Sequence, residues 1–365
     1  MNCSDLPRFM QCRSFPTLAE SAPAFERSES ESKRESEAAR YALALMLGNP
    51  SGNVQINGIT CPNGYIVQQD MADRLKAIHD YIRSRDPSAH LYQLAKIDWS
   101  VPRDGDHFVI SGIADSIGWN DETRTMYVDD LKYGYRLAEV DNNFQLIGYA
   151  IGAMLRYGHM PDRVIMTIHQ PRAWHPDGPT RSAMIDRQGL ADGHKRIVAQ
   201  INATSTVCNP GRECYGCPAA GVCPSAAAAA MAALDLSMDA TSETVDNDRL
   251  GAELRMLEHA EVMLKIRKKA LSEMTEHRIR NGQSVNGWTL KESISNRQWS
   301  EGVTAQLIQQ MTCIDVSDDA IISPSQAEKK GVPKAIIDSF TVRKSNGFKL
   351  VQSDTNKDAA KLFGG

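Results

Sequence analysis

Two aspartates and a lysine are the residues of this sequence whose types and spacing are best suited to chemistry. Asp115 follows Ser-Gly-Ile-Ala, and fifteen residues later comes Asp130-Leu-Lys132. Two converging carboxylates bind a hard divalent cation such as Mg²⁺, which prefers oxygen ligands. Lys132 lies on the same side of an extended strand as Asp130, where it can orient a metal-bound water and counter developing phosphate charge. Together these residues predict a site for phosphodiester hydrolysis.

Strands and helices must bring these residues together. Strand-like alternation runs over 93–128 and is broken by polar turns at 104–106 and 120–121, which predicts a meander of three short strands. Asp115 ends one predicted strand and Asp130 follows the next, so pairing within this meander can bring both carboxylates to one edge. The other regular segments are helices predicted over 31–47, 71–85, 142–157 and 182–203 and a strand predicted over 163–169. This succession predicts an α/β fold.

A cluster of cysteines indicates a second metal centre. Four of the eight cysteines, Cys208, Cys214, Cys217 and Cys223, lie within sixteen residues of one another. Three thiolates in the C-x2-C-x5-C loop can nucleate a Zn²⁺ site or an iron–sulfur cluster, and either centre needs a fourth ligand. Cys208 is the local candidate for that ligand, and Cys12 is the distant one.

Composition and charge restrict the class of protein. A hydrophobic fraction of 42% and a charged fraction of 24% over 365 residues are ordinary for a globular protein and exclude a collagenous or wholly disordered chain. The net charge of -4 means that any nucleic acid must be held by a local patch. Apolar runs of about 20 residues and a signal-peptide core are missing from the sequence. We therefore predict a cytoplasmic protein without a membrane partner.

The residues around and after Lys132 carry a family resemblance. Gly134 follows Lys132, and Gln145 and Tyr149 lie one helical turn apart on one face of the next predicted helix. Together with the upstream Gly-x-x-Asp115, this pattern resembles the core of the PD-(D/E)XK nucleases. It is most similar to their RecB-like branch, which has a Gln-x-x-x-Tyr motif, and to a set of phage-encoded nuclease-like proteins. The resemblance covers about residues 12–224.

The resemblance implies a fold and an activity. The fold is a nuclease core in which helices flank a central mixed sheet, and the activity is that of an Mg²⁺- or Mn²⁺-dependent deoxyribonuclease, an exonuclease in phage DNA recombination or processing. Asp115 and Asp130 would ligate the metal, Lys132 would be the catalytic lysine, and Gln145 and Tyr149 would hold the DNA strand. Besides DNA, the implied partner is a recombination protein that anneals or binds single strands.

The same resemblance favours iron over zinc in the cysteine cluster. RecB-like nucleases with iron–sulfur clusters have one cysteine before the first motif helix and a C-x2-C-x5-C loop after the core. This implies a [4Fe–4S] cluster on Cys12, Cys214, Cys217 and Cys223. Such a cluster would join residues about two hundred positions apart and fix the N-terminal arm to the end of the core.

One position departs from the family pattern. The first helix of the family carries a metal-binding histidine, and Arg40 stands at that position here. Because an arginine cannot ligate a cation, we expect Glu37 or Glu35 to replace the histidine: Glu37 lies nearly on the same helix face, and Glu35 matches the motif register. Arg40 would then face DNA phosphate. The alternative function is a catalytically impaired DNA-binding or assembly protein on the nuclease scaffold.

The predicted domain organisation has four parts. The nuclease core with its cluster extends over 1–237, and an acidic linker over 238–248 follows it. The chain then continues as a helical C-terminal extension over 249–325 and a partly flexible tail over 326–365.

Overall fold

The computed structural model of the chain contains two compact units, Met1–Lys268 and Lys269–Gly365. The residues that it describes are 1–23, 31–49, 54–204, 208–238, 247–300, 302–317, 321–343 and 345–352. Residues 239–246 of the predicted linker and residues 353–365 of the predicted tail therefore lie outside the described part of the chain.

A mixed five-stranded sheet is the centre of the first unit. Its strands are β1 (His90–Arg103), β2 (Asp106–Asn120), β3 (Thr125–Leu131), β4 (Arg163–His169) and β5 (Thr180–Asp186). They lie side by side in chain order. Neighbours are antiparallel except β3 and β4, which are parallel. The first two strands are 14 and 15 residues long, so the meander is not built of the short strands that the sequence predicts.

Helices flank this sheet and form two apolar clusters with it. One cluster packs α5 (Phe144–Tyr157) and α6 (Arg187–Asn202) on the sheet, and the other contains α3 (Glu31–Leu47), α4 (Gln69–Ser84) and the end of β3. The remaining helices that begin in this unit are α1 (Leu6–Gln11), α2 (Phe15–Ser21), α7 (Pro224–Met238) and α8 (Asn247–Arg280). The prediction of an α/β fold with a central mixed sheet flanked by helices is confirmed.

The helix that carries Gln145 and Tyr149 has clear start and stop signals. The Asn143 side chain accepts the backbone N–H groups of Gln145 and Leu146, which satisfies two donors of the first turn. Gly158 ends the helix with a φ of 70°, a conformation that glycine adopts without steric cost. Local sequence therefore fixes where this helix presents its side chains.

The predicted helix over 182–203 is wrong in its first part. Residues Thr180–Asp186 form β5, and the helix begins only at Arg187, where the Asp186 side chain accepts the N–H of Gly189. The strand exists because it pairs with β4 along its whole length. Such pairing between segments distant in sequence leaves little trace in local hydrophobic spacing.

The second unit has two strand pairs and a small core. The long pair is β6 (Trp288–Ile294) with β9 (Ser345–Gln352), and the short pair is β7 (Gln298–Trp299) with β8 (Thr341–Val342). Its core includes buried residues such as Ile308, Val316 and Ile337. Its short helices are α9 (Ala305–Thr312), α10 (Pro324–Lys329) and α11 (Lys334–Ser339). The extension over 249–325 is therefore not purely helical, because β6 and β7 find their partners beyond residue 325.

Candidate functional site

The end of β3 positions the aspartate and lysine of the predicted site. Asp130 is the last but one residue of the strand and is 1% exposed. Lys132 follows the strand directly, and its N–H donates to the His169 carbonyl at 2.9 Å, which continues the pairing with β4. The Lys132 Nζ lies 2.8 Å from Asp130 Oδ2. Backbone pairing thus holds the two side chains in register beside each other.

Helix α5 contributes the next two residues. Lys132 Nζ donates to Gln145 Oε1 at 2.8 Å. The amide nitrogen of Gln145 donates to Asp130 Oδ1 at 3.0 Å and to the Tyr149 hydroxyl at 3.2 Å. Burial raises the pKa of Tyr149, and the nearby Asp130 charge raises it further. Gln145 therefore connects the strand residues to the helix residue that lies one turn further on.

Asp115 completes this group from the middle of β2, rather than from the end of its strand. Its Oδ2 accepts the Leu131 N–H at 2.7 Å, which ties it directly to the end of β3. Burial raises the pKa of Asp115 to about 6, Arg40 opposes this shift, and Asp130 adds to it. The structure therefore brings Asp115, Asp130, Lys132, Gln145 and Tyr149 together, as the sequence predicts.

Arg40 of α3 pairs with Asp115. Its Nε lies 2.7 Å from Asp115 Oδ1, and its side chain is 43% exposed. Asp115 raises the pKa of Arg40, and Asp130 and Tyr149 act in the same direction. The sequence predicts that Arg40 faces DNA phosphate, whereas here its guanidinium lies against Asp115.

The two glutamates proposed to replace the family histidine have other partners. Glu35 pairs with Arg172 and accepts a hydrogen bond from the Tyr65 hydroxyl at 3.3 Å. Glu37 is exposed, with Lys33 Nζ 3.7 Å from its carboxylate. Glu35 and Glu37 as metal ligands stay a prediction.

A cavity of about 540 Å³ opens beside this group. Arg40, Lys132 and Gln145 line it from the side of the predicted site. Further cationic residues of its wall are Arg8, Arg136 and Arg212. Arg136 and Arg212 lie within 4 Å of Glu213 and Glu139 respectively. The cavity can therefore hold an anion next to the carboxylates, although acidic residues balance part of its positive charge.

Sequence reasoning missed the residue that shapes the loop after Lys132. Gln170, fully buried at the end of β4, donates to the carbonyls of Gly134 and Arg136 at 3.2 and 2.6 Å. Its Oε1 accepts the Ala138 N–H at 3.2 Å and the Arg181 guanidinium at 3.0 Å. The sequence contains a Gln-Pro-Arg triplet at 170–172, but no residue type in it marks the partners of Gln170.

Arg172 of the same triplet supports this loop from another side. Its guanidinium lies 5.1 Å from the ring centre of Tyr133 and 4.4 Å from that of Tyr135. It also pairs with Glu35. One arginine thus joins α3 to the segment that follows Lys132.

The predicted cluster ligands are near one another at the N-terminal arm. Burial raises the pKa of the Cys12 thiol, the Asn209 N–H lowers it, and the neighbouring thiols of Cys208, Cys214 and Cys223 raise it. Burial also raises the pKa of Cys214, and the thiols of Cys217 and Cys223 raise it further. Within the described ranges, no three His, Cys, Asp or Glu side chains form a group that could hold a metal ion.

Helix α1 holds the cysteine loop through polar contacts. Arg8 Nε donates to the Glu213 carbonyl at 2.9 Å, and Gln11 Nε2 donates to the Asn209 carbonyl at 3.0 Å. The Gln11 side-chain oxygen accepts the Glu213 N–H at 3.3 Å. Cys12 and the loop at 208–223 are therefore brought together by hydrogen bonds of the protein itself.

No helix in the described part of the chain is long and apolar enough to cross a membrane.

Comparisons with known proteins identify a family without assigning an activity. No curated protein matches the sequence. A solved structure described as "Crystal structure of SSO0001" is similar at 14% identity and a TM-score of 0.25, over 42% of this chain and 67% of that chain. The family model described as "Protein of unknown function (DUF2800)" matches residues 3–358, and the chain therefore belongs to the DUF2800 family.

Proposed function

We propose that this protein is a divalent-metal-dependent deoxyribonuclease with a PD-(D/E)XK-type core of the RecB-like kind, acting as an exonuclease in phage DNA recombination or processing. The observation that carries the proposal is the continuous set of contacts from Asp115 through Leu131 to Asp130, Lys132 and Gln145. This set borders a cavity with further cationic residues. Buried carboxylates beside a lysine suit the hydrolysis of a phosphodiester better than they suit a purely structural role.

The carboxylates have the donor atoms that a divalent cation needs. Within the described residues, Asp115 Oδ1 and Asp130 Oδ2 accept no well-directed hydrogen bond, although Arg40 and Lys132 lie near them as ion-pair partners. Both oxygens are buried, and hard oxygen ligands suit Mg²⁺ and Mn²⁺. When bound there, the metal would polarise the phosphoryl group and lower the pKa of an attacking water.

The chain's own residues have distinct tasks in this proposal. Lys132 lines the cavity, and its positive charge would counter the negative charge that develops on the phosphoryl oxygens. Gln145 keeps Lys132 and Asp130 at a fixed separation by bonding to both. Tyr149, whose pKa is raised, stays protonated at neutral pH and can donate a hydrogen bond.

An iron–sulfur cluster on Cys12, Cys214, Cys217 and Cys223 belongs to the same proposal. The thiols of Cys208, Cys214 and Cys223 act electrostatically on Cys12, and Cys214 Sγ accepts the Gly211 N–H at 3.4 Å, as cluster thiolates accept backbone donors. Cys208 lies beside Cys12 and is the alternative fourth ligand. A bound cluster would supply a covalent link between α1 and the loop that α1 already contacts.

The experiment is cleavage of end-labelled linear DNA and covalently closed DNA by anaerobically purified protein with Mg²⁺ or Mn²⁺. The wild type should degrade linear DNA only when the metal is present. Lys132→Met should lose about two to three orders of magnitude in rate. Lys76→Gln, which removes an exposed lysine on α4, is the matched control and should cleave like the wild type. Equal residual cleavage by the wild type and Lys132→Met would assign the activity to a contaminant.

A second function is favoured by one observation, the ion pair between Arg40 and Asp115. If Arg40 never leaves Asp115, the protein binds DNA or assembles with partners without cleaving it. Binding of a labelled oligonucleotide, with no cleavage in any divalent metal, would identify this impaired scaffold.

A further inference from the structure

We propose that Arg40 is an exchangeable occupant of the metal site: its guanidinium neutralises Asp115 in the metal-free protein and must leave Asp115 Oδ1 before a divalent cation can bind there. This inference rests on the proposed metal site, but its test measures binding rather than cleavage. It makes Arg40 a competitor of the metal.

The two carboxylate oxygens of Asp115 have different partners. Oδ2 is committed to the Leu131 N–H at 2.7 Å, a bond that also fixes the end of β3. Oδ1 is therefore the oxygen left for a cation, and Arg40 Nε lies 2.7 Å from it. The protein otherwise covers Oδ1, so a metal ion has to approach it from the side that the Arg40 guanidinium occupies. Uptake of the metal thus requires an exchange.

The need for some cation follows from burial. Asp115 is 3% exposed and Asp130 is 1% exposed, and two carboxylates so deeply buried repel each other. Lys132 compensates Asp130, and Arg40 compensates Asp115. In the metal-free protein, Arg40 and Lys132 therefore balance the charges of the two ionised carboxylates.

Arg40 can move, whereas the carboxylate cannot. The Arg40 side chain is 43% exposed and lines the cavity of about 540 Å³, so a released guanidinium has space and solvent available. Arg85 is the contrasting case, since its side chain is only 10% exposed and it contacts Asp129 through two nitrogens. We therefore assign Arg40 as the exchangeable partner and Arg85 as a fixed one.

Mn²⁺ titration by isothermal calorimetry tests the competition. Arg40→Gln should bind Mn²⁺ at least about tenfold more tightly than the wild type, because no side chain then competes for Oδ1. Lys76→Gln removes the same charge from another helix and should bind like the wild type. Adding Asp115→Asn to Arg40→Gln should abolish the gain. Equal or weaker Mn²⁺ binding by folded Arg40→Gln would overturn the proposal.

A measurement on the wild type covers the case in which Arg40→Gln does not fold. The Nε–H resonance of Arg40, assigned by its loss in Arg40→Lys, should move on addition of Mg²⁺ toward the position of a solvent-exposed arginine and exchange faster with water. The Arg85 resonance should not move. An Arg40 resonance that stays unchanged up to saturating Mg²⁺, or the absence of any Mg²⁺ binding, would overturn the exchange.

The outcomes separate this inference from the proposed nuclease. Tighter Mn²⁺ binding by Arg40→Gln without cleavage by either protein would support the exchange and contradict the nuclease. Metal-dependent cleavage by the wild type, with unchanged Mn²⁺ affinity in Arg40→Gln, would support the nuclease and contradict the exchange.

Discussion

Asp129 and Asp130 are consecutive residues of β3, and their carboxylates are equally buried but have different partners. Asp129 accepts two contacts from Arg85, at 2.5 and 2.6 Å, and His169 Nε2 lies 3.2 Å from it. Asp130 instead contacts Lys132 and Gln145. Because successive side chains of a strand point to opposite faces, one strand serves an ion pair on the α4 side and the candidate site on the α5 side.

We predict that removing the Asp129 charge lowers stability, whereas removing the Asp130 charge abolishes activity. Asp129→Asn should lower the free energy of unfolding by about 3–5 kcal/mol, since it leaves Arg85 buried without its carboxylate. Asp130→Asn should leave the fold intact, because Asp130 also has a like-charged neighbour, but should abolish metal-dependent cleavage. Urea unfolding and a DNA cleavage assay measure the two effects. A stable, inactive Asp129→Asn would contradict the assignment of Asp129 to structure.

The pKa of Asp129 predicts how the free energy of unfolding falls at acidic pH, which is the acid limb of the stability curve. Burial opposes ionisation, but Arg85 and His169 lower the pKa of Asp129 from 3.8 to about 2. A lowered pKa in the folded state contributes stability that is present above the unfolded pKa and is lost as the pH falls through the folded pKa. We expect a loss of about 2 kcal/mol between pH 5 and pH 2 from this residue.

Asp115 provides the comparison for this pH dependence, because its pKa is raised to about 6 rather than lowered. Its contribution has the reverse sign: it is present below the unfolded pKa and is lost as the pH rises through 6. Unfolding of the metal-free protein at a series of pH values should therefore lose its acid limb in Asp129→Asn and its decline near pH 6 in Asp115→Asn. Parallel curves for the two variants would contradict these assignments.

The cysteines predict iron content. Anaerobically purified protein should be brown and contain about four irons per chain, because each of four cysteines would hold one iron. Cys12→Ser should lose the colour, whereas Cys313→Ser, at an exposed cysteine of the second unit, should keep it. The discriminating variant is Cys208→Ser, which should also keep the colour. Colour that survives Cys12→Ser but is lost in Cys208→Ser would make Cys208 the fourth ligand.

Close packing at a helical glycine predicts a large steric effect. A Cβ added at Gly152 of α5 would lie 1.8 Å from Ile97 Cγ2 of β1. Overpacking of this kind costs about 1–3 kcal/mol or more, which exceeds the gain in helix propensity of about 1 kcal/mol. Gly152→Ala should therefore lower the melting temperature by several degrees. Gly134→Ala, where a Cβ would meet no atom within 4 Å, is the control and should leave it unchanged.

The sequence predicts the residues of the candidate site better than it predicts the ion pair between Arg40 and Asp115. Asp130, Lys132, Gln145 and Tyr149 lie within twenty residues, so one strand and one capped helix suffice to align them. Arg40 and its partner Asp115 are separated by seventy-five residues. Their ion pair depends on how α3 packs on the sheet, and local periodicity carries no information about that packing.

Local periodicity also carries no information about the pairing of β5 or the hydrogen bonds of Gln170, so the sequence does not predict them. β5 reads as the start of a helix because its ladder partner β4 is a separate segment. The partners of Gln170 are mainly backbone carbonyls and an N–H, which every residue possesses, so no residue type marks them in the sequence. Element types can be predicted from the sequence, but these pairings need the folded chain.

Gln170 holds one segment of the cavity wall through a side chain that does not ionise. Both donors and both lone pairs of its side-chain amide are occupied by Gly134, Arg136, Ala138 and Arg181, and an amide does not titrate. The groups that face the cavity can exchange ions or protons while the segment behind them keeps its path. The protein thus combines a lining of charged side chains with a backing that is held in part by a side chain that does not titrate.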